Sequence, residues 1–122
     1  MRQSLRLAIA VLVLSALAPS GAAAGDMTFM MKNSHPESVV IELTSRARDQ
    51  VWPGGGQVYQ LNSAERKTVP VACVEGEEIC YGAWVFGDDT QSFGIGPDKD
   101  VACTNCCFIC VDGTKATISL HR

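Results

Sequence analysis

The segment 103–110 reads C-T-N-C-C-F-I-C and places four of the six cysteines of the chain within eight residues. An even number of cysteines in a small exported domain is typical of a disulfide framework, because the thiols meet an oxidising compartment while the chain folds. The sequence therefore predicts three disulfide bonds and leaves their pairing open. The predicted half-cystines are Cys73, Cys80, Cys103, Cys106, Cys107 and Cys110.

Two features of the spacing bear on the pairing. Cys73 and Cys80 flank the turn at Gly76, and a regular hairpin there would bring them within bridging distance. Cys106 and Cys107 are adjacent, and successive side chains of a strand point to opposite faces of the sheet. We therefore expect Cys106 and Cys107 to have different partners.

The alternative to a disulfide framework is a metal site. Structural zinc is bound by four thiolates or imidazoles, usually from two C-x-x-C pairs with a spacer between them, and copper also takes soft ligands. Here the two pairs abut without a spacer, which favours disulfides, so no cofactor is predicted. The alternative function is a periplasmic metal-handling protein that binds Zn or Cu through Cys103, Cys106, Cys107 and Cys110.

The first 24 residues have the pattern of a secretory signal peptide. Arg2 and Arg6 precede an apolar run over residues 7–17, and Ala22-Ala23-Ala24 offers a small-residue cleavage site. An eleven-residue run is too short to span a bilayer, which takes roughly 20 residues. The sequence predicts a signal peptide at 1–24, a single domain at 25–122, a periplasmic or secreted location, and no stable membrane insertion after cleavage.

The charge of the predicted mature domain excludes one class of partner. Residues 25–122 carry 13 acidic and eight basic side chains, a net charge of −5, and the basic residues form no cluster along the sequence. Nucleic-acid binding needs a basic patch, so nucleic acid is not an expected partner.

The hydrophobic pattern of the domain is that of β-strands throughout. Val39, Ile41 and Leu43 alternate with more polar neighbours, as in a half-buried strand. Residues 73–86 predict a hairpin about Gly76, and Asp112-Gly113 predicts another that joins the last two strands. The predicted fold is all-β: a small, disulfide-stapled antiparallel β-sandwich or barrel of seven to eight strands.

Aromatic residues are the candidate binding residues. Trp52 precedes Pro53 and three glycines in a predicted loop, where an exposed ring would be available to a partner, and Tyr59 and Trp84 are the other candidates. No catalytic constellation is present. His35 and His121 are the candidate bases at neutral pH, and neither lies in a catalytic sequence motif. The C-x-x-C pairs precede a predicted strand, whereas a redox C-x-x-C motif precedes a helix. The sequence favours a non-enzymatic binding or structural module, with a protein or a glycan as partner.

Four motifs carry a resemblance. They are V-W-P-G-G-G-Q-V-Y-Q-L, C-V-E-G-E-E-I-C-Y-G-A-W, F-G-I-G and C-T-N-C-C-F-I-C, and together they resemble a group of small, cysteine-rich exported bacterial proteins. That group has no assigned activity, so the resemblance implies no functional residue. The opening F-M-M-K-N-S and the W-P-G stretch are also similar to thaumatin-like sandwiches, from which this chain departs in its length and its cysteine pattern.

Overall fold

The computed structural model describes residues 23–121, which form nine β-strands and no helix. No helix in this range is long and apolar enough to cross a membrane. The predicted signal peptide lies outside the described residues apart from Ala23 and Ala24. The strands are β1 (Ala24–Asn33), β2 (Val39–Ser45), β3 (Val51–Trp52), β4 (Tyr59–Leu61), β5 (Arg66–Val74), β6 (Glu78–Val85), β7 (Asp88–Gly94), β8 (Cys107–Ile109) and β9 (Lys115–Leu120).

The strands form two sheets. In the three-stranded sheet, β1 lies between β5, which is antiparallel to it, and β9, which is parallel. The six-stranded sheet has the order β3-β2-β6-β7, with β4 also paired to β2 and β8 to β6, and all its pairs are antiparallel. The predicted all-β, disulfide-stapled fold is confirmed. The described residues form nine strands where seven to eight were predicted, and the β1–β9 pair is parallel where an antiparallel arrangement was predicted.

One main core lies between the sheets. The alternating residues Val69, Val71 and Cys73 of β5 are buried, while Pro70 between them is exposed on an edge strand. Phe29 of the smaller sheet meets Phe108 of the larger one edge to face, with ring centroids 5.5 Å apart. Aromatic pairs favour this geometry, which adds to the hydrophobic stabilisation of the core.

Both predicted hairpins are wrong, because each of these turns carries the chain from one sheet to the other. β5 belongs to the three-stranded sheet and β6 to the six-stranded sheet, and likewise β9 and β8. A glycine with positive φ, Gly76 at 88° and Gly113 at 76°, reverses the chain whether or not the flanking strands pair. Pairing is decided instead by β1, which takes the ladder hydrogen bonds of both β5 and β9.

The three predicted disulfides are present, and their pairing corrects one expectation. Cys73 does not bond to Cys80, because their strands lie in different sheets. The bonds are Cys73–Cys110, which joins the two sheets, Cys80–Cys107, which links the paired strands β6 and β8, and Cys103–Cys106, which closes a short loop. The expectation that Cys106 and Cys107 have different partners is confirmed.

A buried carboxylate fixes the turn between β5 and β6. Glu77 accepts two hydrogen bonds from the Arg48 guanidinium, each 2.9 Å long, one from the Ser45 hydroxyl at 2.7 Å and one from the Val74 backbone N–H at 2.7 Å. The hydrogen bonds from Arg48 are the main cause that lowers the pKa of Glu77 to about 2. The Glu77 carboxylate thereby ties the loop after β2 to the turn that connects the sheets.

We expect Glu77→Gln to lower the free energy of unfolding at pH 7 by about 2 kcal/mol, because the variant loses the charged interactions that lower the pKa of Glu77. This value is smaller than the full pKa shift implies, because Arg48 is partly exposed and solvent screens its interaction with Glu77. The pKa of Glu77 is lower in the folded chain than its ordinary value of 4.5, so its stabilisation is complete above that pH. It is lost as the pH falls towards about 2. Urea unfolding measured between pH 7 and pH 2 should show a smaller acid-dependent loss of stability in the variant than in the natural protein.

The control for this prediction is Glu75→Gln, which removes an exposed carboxylate from the same turn. It should change stability by less than about 0.5 kcal/mol. Equal losses in the two variants would contradict the role given to Glu77.

Candidate binding surface

The structure does not bring the three candidate aromatic residues together. Trp52 is paired with Leu43 and Tyr59 with Ile41, so both rings lie on the core side of the six-stranded sheet. Trp84 is paired with Val40, one position out of phase, and therefore lies on the outer side. Of the three candidates, Trp84 is the one that faces outward.

Trp52 is a core residue, which corrects the expectation of an exposed ring. Its side chain is only 8% exposed, and its indole N–H donates to the backbone oxygen of Ala72 at 3.0 Å. The Arg48 guanidinium lies 5.8 Å from the ring centroid, within cation–π range. Trp52 therefore connects the six-stranded sheet to β5 of the other sheet. The glycine loop that follows Trp52 is largely exposed, whereas the Trp52 ring is buried.

Tyr59 is half-buried and packs against the main core. Burial raises the pKa of its hydroxyl above the ordinary value. Its ring contributes to packing and is not part of an outward-facing site.

The outer side of the six-stranded sheet is covered over part of its length by residues 95–106. The backbone of Tyr81 in β6 holds both ends of this segment: its carbonyl accepts from the N–H of Ile95 at 3.0 Å, and its N–H donates to the oxygen of Cys106 at 2.9 Å. Gly82 permits the close approach, because a Cβ there would collide with the backbone oxygen of Gly96. Ile95 and Cys106 bury Cys80 in a second, smaller core.

Beyond the covering segment, an aromatic and acidic patch remains open. Trp84 is partly exposed, and Phe86, in the turn that follows β6, is 63% exposed. A cleft of about 330 Å³ is lined by Trp84, Gly87, Asp88 and Asp89. We call the five residues Trp84, Phe86, Gly87, Asp88 and Asp89 the Trp84 surface.

The carboxylates of the Trp84 surface are held differently. Asp88 accepts hydrogen bonds from the hydroxyl and the backbone N–H of Thr90 and, at 2.8 Å, from the side-chain amide of Gln91. These hydrogen bonds, led by that of the Thr90 hydroxyl, lower the pKa of Asp88, which is therefore ionised at neutral pH. Asp89 is exposed, so its oxygens are accessible to donors on a ligand.

Trp84 keeps its polar atom available. Unlike the indole N–H of Trp52, that of Trp84 makes no hydrogen bond to another residue within the described range. Since every buried polar side-chain atom in that range has a partner, the Trp84 N–H is not buried. The Trp84 surface thus combines two apolar ring faces, one N–H donor and two carboxylate acceptors. These groups suit a ligand that has both an apolar face and hydroxyl groups.

The cysteines of the alternative metal site are all bonded. Cys103, Cys106, Cys107 and Cys110 each belong to a disulfide, and no cysteine among the described residues is free. Glu78, Cys80 and Cys107 have potential ligand atoms within 4.8 Å of one another, but these two sulfur atoms are bonded to each other. Metal coordination needs thiolates, which the oxidised protein does not offer at these positions.

The two histidines occupy separate positions. His35 is 5% exposed, and its Nδ1 accepts from the backbone N–H of Glu37 at 3.1 Å, so the ring stabilises the turn after β1. His121 is exposed at the other end of the chain, beyond β9. Neither ring lies in the Trp84 surface.

Sequence reasoning noted Trp84 but did not select Phe86, Asp88 or Asp89 as binding residues. The signal was present, because W-V-F-G-D-D places two aromatic residues two positions apart before a glycine turn with two acidic residues. What the pattern did not reveal is which end of the sheet the 95–106 segment covers.

Comparisons of the chain with protein-family models, with curated proteins and with solved structures find no match.

The different environments of the two tryptophans can be measured directly, because the chain has only these two. Trp52→Phe leaves Trp84 as the sole indole, and Trp84→Phe leaves Trp52. We expect acrylamide to quench the fluorescence of the Trp52→Phe protein more strongly than that of the Trp84→Phe protein, since quenching requires solvent access. The opposite order would contradict the assignment of Trp52 to the core.

Proposed function

We propose that this protein is an exported, disulfide-stabilised binding module, and that its Trp84 surface binds a neutral carbohydrate. The observation that carries the proposal is the cleft lined by the partly exposed Trp84 and by Asp88 and Asp89, together with the 63% exposure of Phe86 two residues after Trp84. Apolar surface that is exposed next to polar residues, as here with two aromatic residues and two aspartates close in sequence, is found at ligand-binding grooves and contact surfaces.

Carbohydrate chemistry matches the groups of the Trp84 surface. Sugar rings present an apolar C–H face that packs on an aromatic ring, while their hydroxyls donate hydrogen bonds to carboxylates. Asp88 and Asp89 supply such acceptors in the same cleft as the Trp84 ring. Their negative charge disfavours an anionic sugar, which is why we propose a neutral one.

The size of the apolar patch favours a sugar over a protein partner. A stable protein interface buries about 1,200–2,000 Å² in total, with a contiguous apolar centre. Here the exposed apolar residues outside the Trp84 surface are scattered over several elements. They are Met30, Val58, Val101, Ile109 and Val111.

The disulfides support an extracytoplasmic site of action. Three disulfide bonds indicate an oxidising compartment, because cytosolic reductants keep thiols reduced in most organisms. Together with the signal-peptide pattern at residues 1–24, they support a periplasmic or secreted protein. The same bonds weigh against metal handling as the function, because that role needs free thiolates.

The test is titration of the purified, oxidised protein with three neutral hexasaccharides: cellohexaose, maltohexaose and chitohexaose. Binding is followed by indole fluorescence and by calorimetry. We expect at least one of the three to bind, and Phe86→Ala and Trp84→Ala each to weaken that binding by about 10-fold through loss of ring stacking. Both variants should remain folded, as judged by their urea midpoints.

Ile109→Ala is the matched control, since it removes an exposed apolar side chain from β8, outside the Trp84 surface. It should leave binding unchanged. Failure of all three sugars to bind, or equal weakening by Ile109→Ala, would overturn the carbohydrate assignment.

A further inference from the structure

The outer side of the three-stranded sheet carries three cations that form no ion pair within residues 23–121. The strand register places Lys32 of β1 directly beside Arg66 of β5. It places Lys115 of β9 beside Thr28, which precedes Lys32 by four residues in β1. At the usual rise per residue, Lys115 therefore lies about 13 Å along the sheet from the Lys32–Arg66 pair. We call this side of the sheet the basic face.

The arrangement of these cations is unfavourable without a partner. Like charges directly opposite one another destabilise a sheet. The ion pairs found within residues 23–121 are Arg48–Glu77 and Lys99–Glu42, and neither involves the basic face. Among the outward-facing residues of β1, β5 and β9, the one carboxylate is Asp26, which lies at the Lys115 end of the face and away from the Lys32–Arg66 pair. The whole chain has a net charge of −3. The basic face is thus locally positive on an acidic protein, which is charge complementarity for an anionic ligand.

Between the cations lie hydroxyl groups and one exposed apolar side chain. Met30 at the centre is 38% exposed, and its strand neighbours are Thr68 on one side and Thr117 on the other. A cleft of about 370 Å³ lies at this position, lined in part by Met30, Lys32, Arg66, Thr68, Thr117 and Ser119. Its volume is within the range of small-molecule sites.

We propose that the basic face is a second binding site, which takes a linear anionic carbohydrate. Its acidic groups pair with Lys32, Arg66 and Lys115, its hydroxyls exchange hydrogen bonds with the threonine and serine hydroxyls, and a ring face rests on Met30. An acidic peptide fits less well, because sheets bind extended peptides by adding a strand at an edge, whereas these groups all lie on the face.

The basic face and the Trp84 surface are independent sites. They lie on the outer sides of the two different sheets, with the main core between them. One selects anionic and the other neutral ligands, so a single domain is able to hold two different glycans at once.

The test uses dextran sulfate, neutral dextran and poly-L-glutamate as probes, with affinity measured over a range of salt concentrations. We expect the oxidised protein to bind dextran sulfate and not neutral dextran. The double variant Lys32→Gln/Arg66→Gln should weaken this binding by about 10-fold. It should also reduce the slope of log K against log salt by about two, one for each cation removed.

The matched control is Arg46→Gln/Lys99→Gln. It removes two neighbouring cations from the opposite side of the molecule, where a guanidinium nitrogen of Arg46 lies 3.4 Å from the Lys99 backbone oxygen. This control should bind dextran sulfate as the natural protein does. Trp84→Ala should do the same, so the dextran sulfate result does not depend on whether the Trp84 surface binds a neutral carbohydrate.

Three outcomes would overturn the proposal. The first is that dextran sulfate does not bind. The second is that the two double variants weaken binding equally, which would indicate non-specific attraction. The third is that poly-L-glutamate binds as tightly as dextran sulfate, which would indicate an acidic protein as the partner.

Discussion

The fold depends on the corner at which the chain leaves β5 at Val74 and enters β6 at Glu78. The Cys73–Cys110 bond joins the two sheets there. The backbone oxygen of Cys110 accepts a hydrogen bond from the N–H of Gly76, and the N–H of Cys110 donates to the backbone oxygen of Glu77, each at 2.8 Å. The Glu77 carboxylate binds the loop after β2 to the same corner. In the loop-entropy description, a bond that spans 37 residues stabilises the folded chain by about 4 kcal/mol. That is a large share of the stability of a small domain.

The other two disulfides act on the outer side of the six-stranded sheet. Cys80–Cys107 and Cys103–Cys106 anchor the end of the 95–106 segment, and an ion pair between Lys99 and Glu42, 3.7 Å apart, holds its middle against β2. The segment therefore covers the sheet around Gly82 and leaves Trp84 open. In this way the disulfides of the dense cysteine cluster hold the segment that decides which part of the sheet stays exposed.

Local features of this protein follow from its sequence, and non-local ones do not. The burial of Val39, Ile41 and Leu43 in β2 and the presence of three disulfides were predicted from period-two patterning and cysteine parity. Strand pairing was mispredicted at Gly76 and Gly113, because a glycine turn specifies a reversal of direction and not the partner of the strand that follows. The burial of Trp52 depends on Ala72, twenty residues away, and the basic face combines single cations from three strands, so neither has a local signature.

The central claim is that the chain is an oxidised sandwich whose sheets are joined by Cys73 and Cys110. Disulfide mapping of protein purified from an exporting host tests this most directly. Partial reduction, cyanylation and cleavage before each freed cysteine separates even Cys106 from Cys107. The structure predicts the pairs Cys73–Cys110, Cys80–Cys107 and Cys103–Cys106. A Cys73–Cys80 bond would mean that β5 and β6 form a hairpin after all, and free thiols in the native protein would contradict the framework itself.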